Sequence, residues 1–182
     1  GQPFTGWAWN DRDRYYFVNN NPVVGWQYID GYKYYFEADG KLVQDLEPYL
    51  GNAGPFMIRI NKAMNCTTIY MKDGDNGYII PFKSFLCSTG DDTPLGDHVT
   101  PEKYRWRLMV TDEYCQYLTR LGPGLSILLH SVIYERPDPY TLKPDTYNWL
   151  GATKSHGCIR FTTADAKWIY DHCPVGTTIN VY

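Results

Sequence analysis

No stretch of this chain is apolar for anything near the ~20 residues that a membrane-spanning helix requires. No basic start followed by an apolar segment opens the sequence, so it carries no secretory leader pattern. A large excess of charge of one sign is lacking too. Lys and Arg number 17 against 20 Asp and Glu, and a net charge of −3 gives no footing for nucleic acid, whose partners carry basic patches. Paired Cys-x-x-Cys and His-x-x-x-His spacings are missing, which removes the usual support for zinc, although His130, His156 and Cys158 are all zinc-capable. Nothing calls for a cofactor. Nothing in the composition points to disorder either: a hydrophobic content of 43% in 182 residues is enough for a real core in one or two domains.

What the chain has in plenty is aromatic side chains, with 17 Tyr and 6 Trp, many of them in the first 50 residues. Gly6-Trp7 recurs as Gly25-Trp26, and Tyr15-Tyr16-Phe17 recurs as Tyr34-Tyr35-Phe36, both at an offset of 19 positions. In the second copy Asp30-Gly31 separates two short aromatic strands, a strong hairpin signal. Residues 1–50 resemble the choline-binding type of cell-wall-binding repeat, a solenoid of β-hairpins. That resemblance implies Trp7, Trp9, Trp26, Tyr28 and Tyr35 as candidates to cage a choline-type ligand or to stack on wall glycan. The same rings suit the segment's own core, since a lone hairpin is unstable and only two copies are visible. Packing of the repeats on the rest of the chain, along its cleft, is the expectation. The chain opens in what reads as mid-repeat, so a fragment of a longer exported protein is expected, its signal or anchor lying elsewhere.

The stretch from Asp45 to Pro55 reads as a connection, and the residues beyond it are strand-like. Residues 57–61, 67–71, 78–82, 105–110, 125–130 and 178–182 are short apolar or alternating runs separated by turn residues. Strands at this spacing predict a mainly β fold for residues 55–182, a sandwich or barrel. One helix is convincing: Thr162 can cap it, with Asp165 three residues later, Trp168, Ile169 and His172 supply a helical stripe, and Pro174 stops it. Five cysteines are an awkward number. With Cys158 set aside, Cys66, Cys87, Cys115 and Cys173 allow three disulfide pairings, or serve as small buried apolar residues.

The most telling segment is Ser155-His156-Gly157-Cys158-Ile159-Arg160. A cysteine is a strong nucleophile only as the thiolate, and a histidine distant in sequence, here His130, is one way to supply the base. The Gly157 and Cys158 N–H groups are candidates for an oxyanion hole, and a helix starting near Thr162 would favour negative charge close by. This segment resembles the signature of the L,D-transpeptidases, cysteine enzymes that cross-link bacterial peptidoglycan. The same resemblance runs in order through Cys87-Ser88-Thr89-Gly90, Thr93-Pro94-Leu95-Gly96, His130-Ser131 and Leu150-Gly151, and covers roughly residues 56 to 182.

The resemblance implies Cys158 as nucleophile, His130 as the residue that takes its proton, and the Ser131 carbonyl as the group that orients the imidazole. His156 either tunes the site or holds the loop. Arg160, Tyr117 and Ser155 are candidates to contact substrate, with Tyr114 and Gln116 beside them. His130 and Cys158 lie 28 positions apart, longer than is usual in the family. The extra residues, Arg136-Pro137-Asp138-Pro139 and Lys143-Pro144-Asp145, read as a loop inserted near the cleft. The implied function is formation of 3-3 cross-links from tetrapeptide stems through a thioester, by a monomer at the bacterial cell wall. An L,D-carboxypeptidase using water as acceptor and a catalytically silent wall-binding protein are the alternatives.

Overall fold

The computed structural model describes residues 1–182. β1 (Gly6–Asn10) and β2 (Asp13–Val18) form a first hairpin, extended by a short β3 (Asn21–Pro22). β4 (Gly25–Ile29) and β5 (Tyr32–Phe36) form a second. Its turn residues Asp30 and Gly31 have φ of 51° and 86°, the left-handed backbone that matches the twist of paired strands. The hairpins hold each other through rings. The Trp7 ring lies 5.1 Å from Tyr16 in its own hairpin and 5.0 Å from Tyr34 in the next. Ile29, Phe36 and Leu42 close a small buried cluster behind them. These aromatics therefore build the segment's own core.

The second hairpin docks on the neighbouring sheet. The Tyr28 hydroxyl donates to Asp73 at 2.7 Å, Lys33 pairs with the same carboxylate at 3.2 Å, and Arg59 donates to the Tyr32 hydroxyl at 3.0 Å. Val43 and Leu46, from the end of residues 1–50, enter the main core. A single helical turn comes next, α1 (Glu47–Leu50). Its Glu47 accepts from Lys83 Nζ at 2.8 Å and from Trp168 Nε1 at 3.0 Å. Chiefly the Lys83 bond holds this carboxyl down to about 2. Because the folded-state value lies below the unfolded one, the stabilisation is complete above the ordinary carboxylate range and disappears as pH falls through about 2. Glu47→Gln is thus expected to lower the melting temperature at neutral pH by about 2–4 °C, the effect of ~1 kcal/mol in a chain of this size. Scanning calorimetry should show the gap closing as pH drops below about 4; a gap that ignores pH would refute the ionic origin.

Beyond Pro55, β6 (Phe56–Asn61), β7 (Cys66–Lys72) and β8 (Tyr78–Leu86) form an antiparallel meander, with Phe56, Ile58 and Ile60 alternating inward. β9 (Gly96–Val99), β10 (Lys103–Leu108), β11 (Tyr114–Arg120), β12 (Leu128–His130) and β13 (Ile159–Arg160) come after it, then α2 (Thr163–His172) and β14 (Thr178–Val181). One sheet has the order β8-β7-β6-β14-β9, the other β10-β11-β12-β13. Both are open, so the mainly β architecture stands and no barrel closes. The largest core lies between the five-stranded sheet and α2, with Leu129 and Ile159 reaching in from the second sheet. Each fully buried Phe or Ile there contributes ~1.5–3 kcal/mol. The Phe56 ring lies 4.8 Å from Phe82 and 5.2 Å from Trp168, which joins the helix to the sheet. The Asp165 N–H donates to Thr162 Oγ1 at 3.1 Å, the expected cap, and α2 ends at His172.

All five cysteines are unpaired. Burial pushes the thiols of Cys87, Cys115 and Cys173 up to about 12, and they act as small apolar residues.

Candidate active site

β12 and β13 run parallel, with Leu129 opposite Ile159 and His130 opposite Arg160. This pairing cancels the 28-residue separation in sequence. Cys158, one position before β13, arrives beside the strand that carries His130, and both line a cavity of ≈ 420 Å³.

His130 is buried, and its Nδ1 sits 2.6 Å from the Ser131 carbonyl oxygen. A carbonyl only accepts, so Nδ1 carries the proton and Nε2 keeps its lone pair. Ser131 is fixed in turn by β11. Its N–H donates to the Gln116 carbonyl at 3.2 Å, its hydroxyl accepts from the Gln116 N–H at 2.9 Å, and that hydroxyl donates to the Val132 carbonyl at 2.7 Å. Burial, with help from the Arg160 charge, pushes the His130 imidazole down to about 4. Burial also pushes the half-buried Cys158 thiol up, against the pull of Leu128 backbone and of Arg160 and Arg120. Both shifts oppose an ion pair, so the resting pair is thiol and neutral imidazole.

The sign of these shifts gives a pH dependence. Iodoacetamide labelling of Cys158 is expected to keep accelerating across neutral pH and to level off only above the ordinary thiol value of ~8.5. With Cys158→Ala as the blank, a plateau already reached by about pH 6 would mean a preformed thiolate and would defeat the assignment.

The loop that presents Cys158 is wedged from below by the segment after β8. A Cβ at Gly90 would fall 2.4 Å from the His156 carbonyl carbon, 2.5 Å from Gly157 N and 2.5 Å from Ser155 O. The Asp92 N–H donates to the His156 carbonyl at 2.6 Å, and the Thr93 hydroxyl donates to the Gly157 carbonyl at 2.6 Å. The Ser155 hydroxyl donates to the Cys158 carbonyl. With three consecutive carbonyls engaged in this way, the Gly157 and Cys158 N–H groups are left with no backbone acceptor.

Of the residues expected from sequence, Cys158, His130, Gly157, His156, Ser155 and Arg160 share this cavity, and Ser131 acts on it through the His130 ring that its carbonyl holds. The expectations for Tyr117, Tyr114 and Gln116 need correction. Tyr117 does not reach the cavity: its ring packs 5.6 Å from Tyr170 with the Arg105 guanidinium 3.9 Å above it. Neighbouring Gln116 works through its backbone on Ser131, and Tyr114 pairs with Tyr134, so neither lines the site. Ser155 lines the cavity as expected, and because its hydroxyl donates to the Cys158 carbonyl it can meet a substrate only as an acceptor. The exposed His156 ring makes no hydrogen bond within the chain, so the loop is held by the His156 carbonyl and not by its imidazole. The start of α2 is separated from Cys158 by β13, and its Thr163 hydroxyl is bonded to Tyr134 at 2.7 Å.

The inserted residues fold as two 3-10 turns, Pro139–Thr141 and Pro144–Trp149, pinned by Lys143 to Glu113 at 2.6 Å. They wall the cavity with Lys143, Thr146 and Trp149. The Trp149 ring lies 4.6 Å from the Arg160 guanidinium, whose Nε and Nη1 are buried without a partner. Sequence reasoning missed Trp149, Gly90 and Thr93. The last two stand inside segments that carried the resemblance, yet their role depends on contacts across 64 to 67 positions that no local pattern shows. No residue of 1–50 lines the cavity, so the repeats pack away from the cleft.

Comparison with known proteins agrees with this geometry. YciB of Bacillus subtilis (strain 168), a candidate L,D-transpeptidase by its name, is 36% identical over 114 residues, which is 60% of this chain and 58% of YciB. The chain thus spans under two thirds of that relative. A Clostridium acetobutylicum ATCC 824 protein described as a fused zinc-dependent amidase/peptidase/peptidoglycan-binding domain-containing protein superposes with a TM-score of 0.51 at 25% identity, over 72% of this chain and 55% of its own. LdtMt1, an L,D-transpeptidase solved with imipenem, superposes with a TM-score of 0.56 at 18% identity over 99% of this chain and 78% of its own, a likeness of fold. The model of the YkuD family, the L,D-transpeptidase catalytic domain, matches residues 55–181. This chain belongs to the L,D-transpeptidase catalytic domain family.

Proposed function

We propose that the chain is a cysteine-dependent peptidoglycan L,D-transpeptidase, working outside the membrane at the bacterial cell wall, that forms 3-3 cross-links from tetrapeptide stems. The observation that carries the reading is one juxtaposition. A neutral imidazole, locked with Nδ1 on the Ser131 carbonyl, shares a cavity with a thiol whose own N–H and that of Gly157 are unspent.

The chemistry runs in two balanced steps. His130 Nε2 takes the Cys158 proton as the sulfur attacks the carbonyl of the stem's third residue, and the oxyanion is met by the two N–H groups. The C–N bond to the terminal D-alanine breaks, its nitrogen receives the proton from His130, and a thioester remains. The amine of a second stem then displaces Cys158, giving its proton back through His130. Arg160 lines the cavity with its guanidinium 4.6 Å from the Trp149 ring, and its charge suits a substrate carboxylate. Substrate choice on this reading is shaped by the inserted turns, because Lys143, Thr146 and Trp149 come from them.

The test is mass spectrometry of the protein incubated with a disaccharide-tetrapeptide. A cross-linked dimer with released D-alanine is the expected product. Tripeptide without dimer would replace the reading by an L,D-carboxypeptidase, and no product at all by a wall-binding protein.

A further inference from the structure

The aromatic faces of the hairpins already hold cations from the chain itself. The Arg14 guanidinium carbon sits 3.7 Å from the Trp7 ring and 5.5 Å from Trp9. Lys33 Nζ sits 5.1 Å from the Trp26 ring and 5.3 Å from Tyr28. Four of the five rings named as candidates for a choline-type ligand are therefore taken, and a quaternary ammonium would have to enter beside a resident positive charge.

The two resident cations differ in one respect. Lys33 is neutralised by Asp73, whereas the Arg14 side chain has no acidic partner, and its Nε is buried without a hydrogen bond. Burial alone accounts for the lowering of its pKa, with only Tyr34 acting against it. An arginine held over an indole face with its fork unspent is an arrangement suited to carboxylate or phosphate.

Arg14 faces a cavity of ≈ 330 Å³ between the second hairpin and the outer side of β7 and β8. Tyr34, Tyr35 and Tyr70 give it aromatic walls, while Thr68 and Ser84, 3.0 Å apart, give it a row of hydroxyls. The other cation there, Lys83, is spent on Glu47 and Asp45. The site thus combines one free positive fork, aromatic walls and neutral hydrogen-bonding groups.

We propose that this cavity binds an anionic saccharide, Arg14 taking its carboxylate or phosphate while the tyrosines and the Thr68–Ser84 hydroxyls take the ring. It shares no residue with the Cys158 cavity, and only the wall location of its occupant rests on the proposed function. Its occupant would tether the domain to a charged wall polymer from the side away from the cleft.

NMR titration of the full chain tests it, with N-acetylmuramic acid, N-acetylglucosamine 1-phosphate, N-acetylglucosamine, inorganic phosphate and choline as separate probes. Saturable shifts of residues around Arg14 are expected with one or both anionic sugars, the carboxylate and phosphate arms telling which. Arg14→Gln should weaken that binding about tenfold or more, and Cys158→Ala should leave it unchanged. Should Arg14→Gln fail to fold, Ser84→Ala on the sheet side must weaken the same binding. The proposal falls if neither anionic sugar saturates, if the neutral sugar or choline binds as well, or if inorganic phosphate matches the sugar phosphate. It falls equally if Arg14→Gln binds like wild type.

Discussion

Cys158→Ala is expected to cut D-alanine release from a tetrapeptide stem by roughly 10⁴-fold or more, the scale on which nucleophiles of this kind fail when removed. Nothing else near the cavity can replace the thiol. Cys115 packs in the same small cluster, but it is fully buried and its thiol is pushed up to about 12. Serine is no rescue either. An imidazole held down to about 4 is too weak a base to draw the proton from an alcohol, so Cys158→Ser should be nearly as inactive. The fold should survive both changes, because Cys158 is only half-buried and its contact to the Ser126 carbonyl is long at 3.9 Å. Thermal melting beside the activity assay separates the two effects. Alanine protein that folds and still releases more than about one part in a hundred of wild-type product would remove Cys158 from the mechanism.

The second large effect should come from a residue that never meets substrate. Gly90→Ala places a methyl group 2.4–2.5 Å from backbone atoms of Ser155, His156 and Gly157, and backbone cannot swing aside as a side-chain tip can. The Cys158 loop must shift by about 1 Å, a misplacement of the size that costs ~10²-fold in rate. Overpacking adds ~1–3 kcal/mol of destabilisation. The donors from Asp92 and Thr93 would move with the loop or lose it, and the two free N–H groups would turn from the place where a substrate oxyanion would form. A neighbouring glycine serves as contrast. A Cβ at Gly157 clashes only with the tip of Ile127 at 2.3 Å, which can rotate away, and meets Asp92 at an ordinary 3.6 Å. The measurement is kcat/KM for D-alanine release, and Gly90→Ala within threefold of wild type would show that the wedge does not set the loop.

Much of this is legible in the chain because it is local. Asp30-Gly31 marks a hairpin, Thr162 with Asp165 marks a helix start, and the alternation of Phe56, Ile58 and Ile60 marks a strand. The strands that escape a sequence reading depend on distant partners. β13 is two residues long and takes its register from β12, while β9 exists by pairing with β14 at the far end of the chain. β11 hides its period, since Tyr117 has φ of 53° and its burial does not alternate. Tyr117 misleads for a related reason: nearness to His130 in sequence is not nearness to the cavity. Cys158 and His130 are visible through the chemistry they can do together. Gly90 and Trp149 are not, because a wedge and a stacking plate have no chemical signature of their own.

Val43 and Leu46 lie before the boundary at which the family match begins, yet both belong to the main core, and Glu47 reaches across to helix and sheet. The stretch that the family model matches and the stretch that fills the core therefore have different edges. A chain trimmed to residue 55 would keep every group of the chemistry while losing the plug that seals one end of its hydrophobic interior. In this protein the aromatic arm is part of the enzyme's own wall.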